Sequence, residues 1–261
     1  MPTSFFGWVL FLLDKYGSLF LRGTWVTLLV AISGTVFGFI IGLLVAIARS
    51  LNVPARSGFL PRAGLKVLHG LLMVYIEVFR GTPMIVQAMV IYYGAAQYLG
   101  LNMNELYAAV LIISVNTGAY MAEIVRGGIL SVEIGQSEAA HSIGMSHWQT
   151  MVSIVLPQAI RNIMPSIGNE FVVNIKDSSV LNVIAVSELF FMSKSAAGTY
   201  LRYFEVFFIT GVIYLILTFT VTRLLRLLEK RMDGPDHFTV FGSQSDHRSG
   251  ISYIKEDHGH V

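Results

Sequence analysis

Glu170, Asn174 and Asp177 are separated by four and three residues inside an otherwise apolar stretch. Positions three and four apart share a helix face, so two carboxylates and an amide are expected to point the same way. Carboxylates accept charge-assisted hydrogen bonds, which suits the α-ammonium group of an amino acid or a cationic side chain. Asn169 precedes them, and Lys176, Ser178, Ser179 and Asn182 complete an unusually polar segment. Ionisable groups at membrane depth are costly and face a partner or a wet cavity. Asn169, Glu170, Asn174 and Asp177 are therefore candidates for lining a pathway, against the competing reading of an ion-pair network that only holds helices together. Lys176 lies about 100° from Asp177 around a helix, and is left to pair with Glu123 or to meet a substrate carboxylate.

Asn116 and Tyr120, spaced by four beside Thr117 and Gly118, form a second polar pair. Amide and phenol either hydrogen-bond a substrate or act as polar glue between helices. Glu123 and Arg126 are three apart and are expected to pair locally. Other chemistry has no support in the spacing. His141 and His147 are six apart, not the i, i+4 spacing that brings two imidazoles to one metal. His258 and His260 lack neighbouring ligands, so no metal site is expected. There is no G-x-S-x-G nucleophile elbow and no G-x-x-x-x-G-K-[ST] phosphate cradle. The chain is expected to hold no ATPase site and no cofactor of its own. With no cysteine, disulfide frameworks and thiol chemistry are excluded.

The elements that must position these residues are apolar. Of 261 residues, 54% are hydrophobic and 13% charged, against about 25% charged in soluble domains. A net charge of +2 leaves no basic field for nucleic acid, and membrane lipid is the better partner. The composition predicts an all-α, polytopic membrane helix bundle of five transmembrane helices at about 20 residues each: residues 24–48, 84–99, 106–124, 163–186 and 203–224. Before them, Trp8, Phe11, Leu12 and Tyr16 predict a separate interfacial helix within residues 1–22. The apolar run there is followed by Asp14 and Lys15, the reverse of a cleaved signal's flanks. Gly34, Gly38 and Gly42 recur every four residues and predict a packing seam. Pro54 and Pro61 mark a loop, residues 65–79 a helix on the inner surface, and Thr82-Pro83 the N-cap and first turn of the next helix. Arg49, Arg56, Arg62, Lys66, Arg80, Arg126, Arg161, Arg223, Arg226, Lys230 and Arg231 outweigh Lys15, Arg22, Lys194 and Arg202 across the membrane. This bias predicts the N-terminus outside and the C-terminus inside. The core spans 23–232, and the tail 233–261 is expected to be disordered. An odd number of spans without internal repetition suggests a subunit of something larger.

Between the third and fourth spans the chain reads Glu138-Ala139-Ala140, three residues, Gly144, nine residues, Ile154, one residue, Leu156-Pro157. Residues 138–143 are expected to form a short helix ended by a left-handed Gly144. Ser146 and Gln149 suit a capping box that starts a second helix, which Pro157 ends or bends. Two short helices on a cytoplasmic loop at about 131–160 make a knob fit to dock in a partner's groove.

This spacing resembles the EAA loop of the membrane subunits of ATP-binding-cassette importers at each of its Glu-Ala-Ala, Gly and Ile-x-Leu-Pro elements. Arg80-Gly81-Thr82-Pro83, the run from Ala119 to Gly128, and Gly168-Asn169-Glu170-Phe171 with Lys176-Asp177-Ser178-Ser179 are similar to the polar amino-acid permease branch. The likeness covers roughly residues 23–230 and departs at 50–64 and after Met232. It implies a multi-pass permease subunit of a bacterial inner membrane, importing polar or charged amino acids as a homodimer or heterodimer. It also implies two ATPase subunits that use ATP and Mg and dock at Glu138, Ala139, Ala140, Gly144 and Pro157, and an outside solute-binding protein. Two rivals are an ion channel with Glu170 and Asp177 as a carboxylate ring and a non-transporting membrane scaffold. Neither has a use for the loop.

Overall fold

The computed structural model describes residues 2–51 and 58–232, and no strand occurs among them. The expectations for Pro54, Arg56, His258, His260 and the tail from Asp233 lie outside the described residues. Helix α1 (Phe5–Ser50) is 46 residues long. At about 1.5 Å per residue it measures about 69 Å, more than twice a hydrocarbon core of about 30 Å. The expected separate helix over 1–22 and the span 24–48 are thus one continuous element. The physical reason is tertiary: Trp8, Leu12 and Phe20 bury against Leu189, Ala197, Val206 and Ile209, so the first half gains a packed face instead of a lipid interface.

Helix α4 (Glu105–Leu130) lies along α1. The glycine seam is realised there: a Cβ at Gly34, Gly38 or Gly42 would come within 2.1 Å of Ile113, 2.7 Å of Thr117 or 2.4 Å of Met121. The four-residue repeat on α1 meets a four-residue repeat on α4, and the small residues allow the two backbones to approach.

Helices α2 (Phe59–Gly81) and α3 (Met84–Leu99) meet at 114° across Thr82 and Pro83. Helix α2 starts six residues before the expected Leu65, and Pro61 falls in its first turn, where a proline is tolerated. Thr82 is not the N-cap of α3. As the residue before a proline it is extended. Its hydroxyl donates to the Val78 carbonyl at 2.7 Å and accepts from Gln87 Nε2 at 2.8 Å. Pro83 stands at the cap position without a side-chain hydrogen bond.

After α5 (Ile134–Ser142) the chain runs helically from His147 to Ile184. That run comprises α6 (His147–Thr150), a π-helical turn at Met151–Val155, α7 (Leu156–Asp177) and a 3-10 turn at Ser178–Ile184. Pro157 therefore does not end the second loop helix. The widened turn before it, in which the Leu156 N–H donates to the Met151 carbonyl five residues back, absorbs the ring. Helix α8 (Leu189–Tyr200) turns away by 56° after a left-handed Ala185 at φ 62°. The buried Glu188 carboxylate caps it, accepting from the Phe190 and Phe191 N–H groups at 2.8 and 2.7 Å and from the Tyr214 hydroxyl at 3.1 Å.

Helix α9 (Tyr203–Met232) completes the bundle. By length and composition α1, α4 and α9 suffice to cross a membrane, and five units do when the two bent pairs, α2 with α3 and residues 147–184 with α8, each count once. Phe37, Leu44, Leu215 and Phe219 are exposed on α1 and α9. An apolar surface of this extent suits lipid and not water.

Candidate functional site

A cavity of about 240 Å³ lies where the α2–α3 break, α4 and α7 converge. Helix α7 contributes Glu170, Val173, Asn174 and Asp177, α4 contributes Asn116 and Tyr120, and the break contributes Thr82, Pro83 and Met84. The shared face read from the four-and-three spacing is thus present, and it faces the second polar pair. Asn169 does not join it: the side chain is exposed and lines no part of the cavity. One residue is about 100° of helix rotation, enough to place Asn169 on another face.

The polar groups of the cavity divide into tied and untied. Asn174 is tied, donating from Nδ2 to Thr35 Oγ1 at 2.8 Å and accepting from Thr117 Oγ1 at 3.0 Å. It joins α1, α4 and α7, so it is glue as well as lining. Asn116 donates to Gln87 Oε1 at 2.8 Å and fixes α3 to α4. Glu170 is untied. Its side chain is 5% exposed, and neither a hydrogen bond nor an ion pair reaches it among the described residues. Its carboxylate oxygens are not fully buried; they open to the cavity, where Arg80 acts on them electrostatically from outside ion-pair distance. At the rim the Arg80 guanidinium stands 5.6 Å from the centre of the Tyr120 ring. The first N–H groups of α3, at Met84 and Ile85, precede the first intrahelical bonds to the Pro83 carbonyl. With no side-chain cap, this positive helix end borders the cavity.

Thr82, Pro83, Met84 and Val173 were not among the candidates read from sequence. The usable signal was the Thr-Pro break in a short apolar segment, since interrupted helices in membranes tend to mark binding sites. Lys176 takes neither expected role. It is exposed and lines a separate cavity of about 300 Å³ against α9 with Arg223 and Arg226. Glu123 pairs instead with Arg49 at 2.5 Å and, as expected, with Arg126 at 2.8 Å.

The loop between α4 and α7 folds much as its residues direct. Gly144 is left-handed at φ 89°, and the Met145 N–H returns to the Ala140 carbonyl at 3.1 Å. Both bonds of the Ser146–Gln149 capping box form, at 3.3 and 2.8 Å. The first loop helix begins at Ile134, four residues earlier than expected. Glu138, Ala139, Gly144 and Pro157 are exposed, whereas Ala140 is buried and serves the packing of the loop itself. Ile134, Ile143 and Trp148 stand out at 75%, 80% and 57% exposure. The His141 and His147 rings stack with centres 6.4 Å apart, and no group of three metal-ligating side chains forms among the described residues.

Residues 58–234 match the family described as the binding-protein-dependent transport system inner membrane component. The glutamine transport system permease protein of Escherichia coli strain K12 is 36% identical over 215 residues, 82% of this chain and 93% of that protein. A probable amino-acid permease protein of Bacillus subtilis strain 168 is 37% identical over 212 residues, 80% of this chain and 89% of that one. The crystal structure of an amino acid ABC transporter with histidines superimposes with a TM-score of 0.76 at 36% identity, covering 88% of this chain and 100% of its own.

Proposed function

The chain belongs to the family of binding-protein-dependent transport system inner membrane components, and on that premise we propose that it is the permease subunit of an ATP-driven importer of polar or charged amino acids. The loop from Glu138 to Pro157 carries this reading. It presents Glu138, Ala139 and Gly144 beside the apolar Ile143 and Trp148, and its second helix continues without a break into α7, which walls the polar cavity. A displacement of the loop therefore moves Glu170, Asn174 and Asp177 as one body. Packed helices transmit such shifts because their interiors resist deformation.

In this mechanism a separate ATPase, using ATP and Mg, grips the two loops of a permease dimer and rocks the spans between inward- and outward-facing arrangements. The chain crosses the membrane five times with the N-terminus outside, each bent pair forming one crossing, as the Lys and Arg bias directs. A solute-binding protein delivers the amino acid on the outer side. The free N–H groups of α3 and Arg80 receive the α-carboxylate, Asn116 and Tyr120 hydrogen-bond the ligand, and the carboxylates of α7 receive its ammonium group.

Co-expression with neighbouring genes and reconstitution tests the reading. The expected result is an ATPase that co-purifies and is stimulated by an amino acid with its binding protein. Glu138→Arg and Gly144→Asp should each abolish co-purification while membrane insertion persists. Ion flux without ATP, with no co-purifying ATPase, would replace this reading by a channel.

A further inference from the structure

We propose that the second cavity, between α7 and α9, holds the phosphate headgroup of an anionic phospholipid of the inner leaflet. Three basic side chains line this space of about 300 Å³: Lys176 of α7, and Arg223 and Arg226 of α9. Among the described residues no carboxylate comes within 4.0 Å of any of them. Asp177 follows Lys176 in sequence but lines the polar cavity. Glu229, three residues beyond Arg226, forms no ion pair with it.

The direction of the side chains sets the depth of this charge. Gly168 lies against Leu225 and Glu188 against Tyr214, so α7 and α9 run antiparallel. Side chains lean toward the N-terminus of their own helix. Lys176 therefore leans toward the loop end of the bundle, Arg223 and Arg226 lean away from it, and the three converge. The Arg223 guanidinium stands 4.9 Å from the centre of the Phe219 ring, one turn back along α9. Drawn inward to that level, it forgoes the water that an arginine near a helix end reaches by extending outward. Cations at membrane depth are costly without an anion beside them.

The rest of the lining selects the kind of anion. Val172, Leu215 and Phe219 continue the cavity as an apolar wall, and Leu215 and Phe219 are exposed on α9. A free phosphate gains nothing from such a wall, whereas a phospholipid lays an acyl chain along it. With the loop and the C-terminus inside, the orientation proposed above, the cavity opens to the leaflet that carries anionic lipid. Basic pockets between spanning helices on that side hold such headgroups. Because α7 lines both cavities, a lipid here braces the helix that carries Glu170 and Asp177.

The purified permease with its co-purifying ATPase, stripped of lipid in detergent, is titrated with phosphatidylglycerol and with phosphatidylcholine. Native mass spectrometry counts the bound lipid. Phosphatidylglycerol should bind at least about tenfold tighter. Lys176→Gln, Arg223→Gln and Arg226→Gln should each weaken it about fivefold, which is about 1 kcal/mol per cation. Arg161→Gln, an exposed cation of α7 outside the cavity, should leave it unchanged. A monodisperse elution profile and a retained ATPase in the same samples check assembly, and separate a failure of this proposal from a failure of the importer reading. Displacement of phosphatidylglycerol by inorganic phosphate at comparable concentration would make this a free-anion site and overturn the lipid. Equal binding of the two lipids, or a preference that none of the three substitutions lowers, overturns the site. The chain has no cysteine, so Phe219→Cys gives it a single thiol. An oxidative cross-link between two copies in the intact complex would mean that a second copy covers this face, and overturns the proposal as well.

Discussion

Asn174 has two jobs that pull against each other. Its amide joins Thr35 of α1 and Thr117 of α4, yet the same side chain borders the cavity. Removing it should show the structural role first, because two buried hydroxyls are left with one partner fewer. Asn174→Ala is expected to lower stability in detergent by about 1–2 kcal/mol, the scale of interhelical hydrogen bonds in membranes. A thermal melt followed by elution profile checks this, and an unchanged melt would assign the amide to the cavity alone. Glu170 is the opposite case: no hydrogen bond and no ion pair within 4.0 Å holds its carboxylate among the described residues, so its replacement should be felt in ligand binding more than in assembly.

Within the α1–α4 pair, the three seam glycines are not equivalent. A Cβ at Gly34 meets only side-chain atoms, the nearest being Cγ2 of the fully buried, β-branched Ile113 at 2.1 Å, which has one preferred rotamer in a helix. At Gly42 it meets the Ala122 nitrogen and the Met121 carbonyl carbon at 2.7 Å, and backbone cannot step aside without moving the helix. Gly34→Ala and Gly42→Ala should therefore both destabilise in the range of overpacked cores, about 1–3 kcal/mol, with Gly42→Ala the costlier because backbone atoms are among its clashes. Melting curves of the two variants under one set of conditions check the order. The same comparison explains α1 as a whole. The spacing of its glycines was legible because it is periodic, whereas the continuity of the helix through residues 22–24 depends on Leu189 and its neighbours, far off in sequence.

Across the molecule, the continuous helix from His147 to Ile184 joins the loop proposed to dock the ATPase to the cavity wall. Inserting two glycines after Val155 should disconnect them, since glycine weakens a helix by about 1 kcal/mol per residue and the two-residue shift rotates α7 relative to the loop. ATPase co-purification should persist while amino-acid-driven uptake falls to background. Uptake that survives would mean that motion reaches the cavity by another path, such as the α4–α7 contact around Gly128 and Ile163.

Local and periodic features of this protein were determined by its sequence alone. They include the helical composition, the shared face of Glu170, Asn174 and Asp177, the left-handed Gly144 and the Ser146–Gln149 box, each specified by residues within a few positions of one another. Only the tertiary structure decided the rest. It turned Asn169 out of the cavity, sent Lys176 to Arg223 and Arg226, gave Glu123 to Arg49, buried Ala140 and brought the Thr82–Met84 break to the third wall. Each of these outcomes is a contact between helices distant in the chain, and side-chain periodicity fixes the face of a helix but not the neighbour that the face will meet.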